Sequence, residues 1–345
     1  DSLKGRKPGT TGGQQAAEYI KNEISKLDLE LLGNNGFQFF DVVTSVILGE
    51  TNKFSFPGFS GTVGENFIPL GFSKNDSISR EISFAGYGFN IKTDSLNWND
   101  YDQLNVEDRW VMILRGDPED NPHGEFAEHS SLRKKAMVAR DKGAAGILFV
   151  SGVTFDENDD LIELYYDQSQ TGSGIPVLHI KRSVADVLLR KKNYTIKSLE
   201  SNLIQERVSQ SFVMNKIVTV VTDLIQKRVR TQNVLAMLPG TDPALIEEFI
   251  VIGAHYDHLG FGGSHSGSLR QDSLAIHNGA DDNASGVATI IEIMGKLNFR
   301  RKYLKRSVLF IAFGAEELGL IGSKYFTKNP MVDLNQIKFM INLDM

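Results

Sequence analysis

Three apolar runs in the C-terminal part of the chain, Phe249–Ala254, Val308–Phe313 and Ile337–Leu343, constrain the fold more than any other feature. They are strand-length and lack the alternation of a half-exposed strand, so each reads as a strand buried on both faces. Between the first two lies Val287, Ile290, Ile291, Met294 and Leu297, with the three- and four-residue spacing of a buried helix face. Buried strands joined through helices predict a mixed, mainly parallel α/β sheet flanked by helices. The residues at the end of each run are equally telling. His255 ends the first, Glu316 and Glu317 come just after the second, and Asp344 closes the third. In open parallel sheets ligands bind beyond the carboxyl ends of the strands, so these side chains are expected to converge.

A fourth feature lies between the first two runs. Asn278-Gly279-Ala280-Asp281-Asp282-Asn283-Ala284-Ser285-Gly286 holds adjacent acids on a glycine-flanked loop at a helix start. Taken alone, Asp282 or Asn283 there is a helix cap. A single His at a strand end is ordinarily a hydrogen-bonded structural residue, Glu316-Glu317 a solvated helix start, and Asp344 a turn residue. Those separate accounts do not explain why every such residue comes after a predicted buried strand, or why the acidic loop falls among them.

The donor set defines the chemistry. The chain has no cysteine, which excludes disulfides, thiol catalysis and thiolate-bound zinc together. Imidazole and carboxylate oxygen suit zinc, or less specifically manganese or cobalt. Asp257, two residues after His255, is expected to accept the second ring N–H and fix the tautomer. In Glu316-Glu317 one carboxylate can bind metal while the other acts as general base, and an Asp between two cations can bridge them. Together these residues predict a two-metal hydrolase site.

The remaining sequence adds organisation rather than chemistry. With 41% hydrophobic and 23% charged residues the 345-residue chain reads as globular and large enough for two domains, and its formal charge of −6 gives no reason to expect nucleic acid. No run is long and apolar enough to predict a membrane span. The chain begins at Asp1, so any signal peptide is expected to lie outside it. A helix from about Gly12 to Leu27 is predicted with a Thr11/Gln14 capping box, followed by a strand over Phe37–Ile47. From about Asp76 short strands take over, around Ile82–Gly88, Trp110–Asp117 and Ile175–Ile180. A helix at Leu132–Lys142 leads through Gly143 into Ala144–Val150. Val-, Ile- and Thr-rich Phe212–Ile225 returns to the first pattern. The acidic run Asp156–Asp160 lacks the glycine and terminal Glu of a calcium loop and reads as solvated. His123, His129 and His179 lack paired ligand spacing and are expected to be surface or structural.

Gly86-Tyr87-Gly88, Leu114-Arg115-Gly116 and Lys142-Gly143-Ala144-Ala145-Gly146 resemble landmarks of a protease-associated (PA) domain. That resemblance implies a non-catalytic insert over 76–205 that shapes access to a peptidase formed by 1–75 and 206–345. Gly253–Asp257, Asn278–Gly286, Ala315–Gly319 and Asn342–Met345 in turn resemble the four successive motifs of the co-catalytic di-zinc exopeptidases, which include bacterial leucyl aminopeptidases and glutamate carboxypeptidases. The resemblance implies that His255 and Asp344 hold one zinc, Glu317 the other, and Asp282 bridges them through a residue followed by a cis peptide bond. It makes Glu316 the general base and Asp257 the partner of His255. It also implies a fifth ligand, a His about a hundred residues beyond Asp344. The chain is therefore expected to be a fragment with its C-terminal portion missing and the zinc exopeptidase fold incomplete. Such a fragment would retain one zinc on His255, Asp282 and Asp344 and lack activity. His258, His265 and His277 are expected to be loop residues, the last two at most rim contacts, and Asp281 to serve loop hydrogen bonding. The resulting expectation is a secreted, periplasmic or cell-envelope aminopeptidase acting on peptides. A carboxypeptidase for short peptides and a non-catalytic receptor-like or scaffold homologue are the alternatives; glutaminyl cyclases share the fold but use one zinc and have no PA insert. Oligomeric state and cleavage preference have no signal in the sequence.

Overall fold

A computed structural model of the chain describes residues 2–119, 121–167, 172–264 and 266–345. They form two units, Asp1–Thr44 with Lys227–Met345, and Ser45–Gln226.

In the first unit, α1 (Thr11–Ser25) opens the chain. Its N-cap is Thr10, one residue before the expected capping box: Thr10 is extended and its hydroxyl accepts the Gly13 N–H at 3.2 Å. Helix α1 buries Ala16, Ala17, Ile20 and Ile24. The sheet comprises β1 (Phe37–Leu48), β2 (Leu224–Leu238), β3 (Phe249–His255), β4 (Ser307–Phe313) and β5 (Ile337–Asn342). Its order is Glu30–Leu31, β2, β4, β3, β5, with β1 also on β2. β4 runs antiparallel to β2, and β3 parallel to both β4 and β5. The Val-, Ile- and Thr-rich run Phe212–Ile225 is divided at Asp223 between the strand Ser211–Thr222 and β2.

Successive side chains of a strand face opposite ways, so each apolar run serves two layers. Ile252, Ala254, Val308, Phe310 and Ala312 pack with α1 and with α2 (Gly286–Phe299), which inserts Val287, Ile290 and Met294. Phe249, Val251, Leu309, Ile311 and Phe313 pack instead with Phe326 of α3 (Ile321–Lys328). Truncating Ile290, 1% exposed, to Ala would cost about 2–5 kcal/mol through lost contact and residual cavity. The third run departs from expectation. β5 is an edge strand paired with β3 alone, and Phe339 is 61% exposed, because no described element covers it.

The second unit is built on its own eight-stranded sheet. Asp76–Ala85, Trp110–Leu114, Gly146–Val150 and Val177–Ile180 run parallel at its centre, and the last three are wholly buried. Strands at Lys53–Phe56, Phe59–Gly61 and Phe67–Pro69, ahead of the expected insert boundary at 76, pair into this same sheet. Helices Leu132–Asp141, Arg182–Leu189 and Ile196–Glu206 belong to the unit. Among the described residues no helix is long and apolar enough to cross a membrane.

Candidate metal centre

The registry of the first sheet sets the centre. His255 pairs with Phe313, the last residue of β4, and Gly253 with Asn342, the last of β5. Two residues beyond Asn342, Asp344 is therefore level with His255, and Glu316 is three residues past Phe313. Convergence of strand ends is thus a consequence of parallel pairing.

His255 Nε2 lies 3.0 Å from Asp282 Oδ1, 3.2 Å from Asp344 Oδ1 and 3.9 Å from Glu316 Oε2. The His255 ring is 3% exposed. Burial alone would lower its pKa, but the carboxylates of Asp257, Glu316, Asp344 and Asp282 outweigh that and raise it. Glu316 is itself raised, first by burial and then by Glu317, Asp344 and Asp282, with His255 opposing. A carboxyl group held above its ordinary range and next to a cluster of like charges is a candidate proton acceptor.

Asp257 is placed otherwise than its spacing predicts. The Nδ1 of His255 meets the backbone carbonyl of Asp257 at 3.1 Å, whereas the carboxylate is 3.8 Å away. That carboxylate instead accepts the amides of Glu316 at 2.9 Å and Glu317 at 3.2 Å. In this arrangement the buried acid satisfies two partly buried backbone donors at once. Burial pushes the Asp257 carboxyl up, while the Glu316 amide, the His255 ring and the Glu317 amide pull it back. The side chain ties the Glu316-Glu317 turn to the end of β3.

The acidic loop divides its labour between neighbours. Asn283, fully buried, accepts the Gly286 N–H at 3.2 Å through Oδ1 and donates from Nδ2 to the Leu343 carbonyl at 2.8 Å. The helix start is thereby satisfied by Asn283, and Asp282 is left facing His255. The Asp282–Asn283 peptide bond is cis. Gly279 has φ +54°, and a Cβ there would lie 2.4 Å from the Asp282 carbonyl oxygen and 2.5 Å from the His258 ring. The Asp281 carbonyl accepts the Ser285 hydroxyl.

His258, expected to be a plain loop residue, joins the centre: its Nδ1 lies 2.6 Å from Glu317 Oε1. Both atoms are buried and neither makes a hydrogen bond. Two clusters result, His255/Asp282/Asp344 and His258/Asp282/Glu317, each with its ligand atoms within 4.8 Å of one another. Zinc bound at about 2.0–2.2 Å in a tetrahedron spaces neighbouring ligand atoms by about 3.3 Å. The 3.0 and 3.2 Å separations around His255 fit that edge. The 2.6 Å contact is short of it, so His258 and Glu317 would have to part to share one ion. Asp282 is common to both clusters. His277 ends the strand Leu274–His277, its ring 6.3 Å from that of His258, and His265 lies outside the described residues. His123 is exposed, and His129 pairs with Glu128 at 3.4 Å.

One further group holds the site from a distance in sequence. Arg6 donates to the carbonyls of Tyr256 at 2.7 Å, Asn278 at 2.6 Å and Gly279 at 2.8 Å. No spacing marked it in the sequence.

Residues 233–345 match the peptidase family M28. The chain is 26% identical over 215 residues to aminopeptidase YwaD of Bacillus subtilis strain 168, covering 61% of this chain and 36% of that protein. It is 24% identical over 248 residues to the probable lipoprotein aminopeptidase LpqL of Mycobacterium tuberculosis, covering 72% and 38%. Among solved structures, an aminopeptidase from Aneurinibacillus sp. strain AM-1 aligns with a TM-score of 0.46 at 20% identity, over 99% of this chain and 68% of that one. The chain spans less than two fifths of the length of these curated relatives. The matched residues 233–345 contain the whole cluster of histidines and carboxylates.

Proposed function

We propose that the protein is a zinc-dependent exopeptidase, an aminopeptidase that releases N-terminal residues from peptides. The observation that carries this reading is the pair of three-ligand clusters sharing Asp282 at the ends of parallel strands. His255 and Asp344 would hold one ion, Glu317 the other, and Asp282 both. Zinc in such a site supplies Lewis acidity and lowers the pKa of water toward about 7.

The chain's own residues supply the rest. Glu316 is 28% exposed in its side chain and 3.9 Å from His255 Nε2, close enough to take a proton from water attacking beside the cluster and return it to the departing amine. Asp257 fixes the Glu316 and Glu317 amides, and thus where both carboxylates start. A cavity of about 290 Å³, lined by His255, Phe313, Glu316, Leu320, Met340 and Asp344, opens at this point and offers an apolar wall to a side chain. The second unit is, in this reading, a PA-type domain with its landmarks in 76–205, without a chemical step of its own. A location in the cell envelope or outside the cell belongs to the same proposal, supported by the lipoprotein name of one relative.

Glu316→Gln in the full-length protein tests the assignment. Turnover of an aminoacyl-nitroanilide should fall by roughly 10²–10⁴ with zinc content unchanged, the range general-base removal produces. Loss of zinc together with activity would show that base and ligand have been exchanged.

A further inference from the structure

We infer that Arg6 is a positioning residue that sets the distance between the strand end bearing His255 and the loop bearing Asp282, and so determines how tightly the shared site holds zinc. This rests on the metal reading above.

The three donated bonds of Arg6 go to two separate segments. Tyr256 lies between His255 and Asp257, while Asn278 and Gly279 lead into the Asp282 loop. One rigid guanidinium thus bridges the backbone of both ligand-bearing segments, with its forked donors aimed at three carbonyls. The connection continues on the backbone, since the Arg6 carbonyl faces the His258 N–H at 3.5 Å and Gly279's carbonyl also accepts the Ala284 N–H at 3.2 Å. Arg6 itself is held in the short turn Lys4–Arg6 with φ +48°. That turn packs closely against the loop between the motifs: a Cβ on Gly5 would lie 2.5 Å from the Gly260 carbonyl oxygen and 2.6 Å from that of His277. The guanidinium also lies in the field of Asp257, Asp282 and Glu317, a positive charge within an otherwise acidic cluster. Nothing in this arrangement touches a reacting atom, so the effect of Arg6 is on ligand spacing.

The test is zinc binding, measured by competition with a chromophoric chelator, together with melting of the metal-free and zinc-loaded protein. Arg6→Met should weaken zinc binding by roughly 10–100-fold, as loss of a partner outside the ligand set does. It should also shrink the rise in melting temperature that zinc produces. A merely structural role would lower both melting temperatures equally and leave that rise intact. Arg6→Lys should recover part of the affinity, because one ammonium cannot reach three carbonyls in different directions. Wild-type affinity, within about threefold, in a folded Arg6→Met overturns the inference. If Arg6→Met does not fold, Arg6→Lys decides by the same threshold. Failure of the metal reading is distinguishable, since the wild type would then bind no zinc, or His255→Ala would bind it unchanged.

Discussion

Both units bury ionisable groups, and they treat them in opposite ways. In the second unit Lys135 is fully buried but donates to the carbonyls of Leu114 and Gly116, with the ammonium 4.5 Å from the Phe89 ring centroid. Asp100, also fully buried, accepts from the Phe89 amide, the Trp98 indole and the Ser209 hydroxyl. His179 accepts the Ile162 N–H at Nδ1 and lies 3.1 Å from the Ser151 hydroxyl at Nε2; burial, with Arg115 and Lys181 nearby, pushes its pKa down to about 3. Each is hydrogen-bonded to neutral groups. In the first unit His255 and His258 face carboxylates instead, and His258 Nδ1 and Glu317 Oε1, 2.6 Å apart, make no hydrogen bond. Burial of a charge is thus no guide to function by itself; what separates a structural ion from a site is whether its donors and acceptors are already spent.

Breaking the site side of this contrast should have the largest effect. Zinc sites of four ligands bind with about 10–16 kcal/mol, so deleting one ligand as in His255→Ala should cost roughly 3–4 kcal/mol, or a few hundredfold in affinity, visible by chelator competition. The metal-free protein should fold as the wild type does. Breaking the structural side should do the reverse. Lys135→Met leaves the Leu114 and Gly116 carbonyls without their donor and should lower stability by about 2–3 kcal/mol in a denaturant titration, with zinc affinity unchanged.

The same variant should alter the response to pH. Burial lowers the Lys135 pKa from the ordinary 10.5 to about 7. Between those values the unfolded chain binds more protons than the folded one, so Lys135 makes stability rise with pH across that window. Lys135→Met should show a flatter stability profile from pH 7 to 10.5 than the wild type; equal slopes would mean that the folded protein keeps this lysine charged. The smallest predicted effect sharpens the boundary between the two behaviours. Asn283→Ala removes the bond to the Leu343 carbonyl beside Asp344, and should weaken zinc about tenfold while changing no ligand.

The strand ends and their ligand-type residues were legible because the signal is local: an apolar run and the residue after it are adjacent in the chain. Asp282 could be singled out against Asp281 only through resemblance to a family motif, not through spacing. Three features had no such signal. Asp257 is near His255 in sequence, but its carboxylate is claimed by the Glu316 and Glu317 amides, a preference fixed only by the pairing of β3 with β4. His258 reads as a loop residue until folding brings Glu317 against it. Arg6 is separated by 250 residues or more from every carbonyl it binds. The exposure of β5 was hidden for a similar reason, since an apolar run records what a strand can bury and not which elements reach it.

The shared carboxylate is the centre of the account, and zinc titration of Asp282→Ala beside Glu317→Ala tests it most directly. Calorimetry should show that losing Asp282 weakens every zinc ion the protein binds, whereas losing Glu317 leaves an ion on His255 and Asp344 at near wild-type affinity. Wild-type zinc binding by Asp282→Ala would contradict the account.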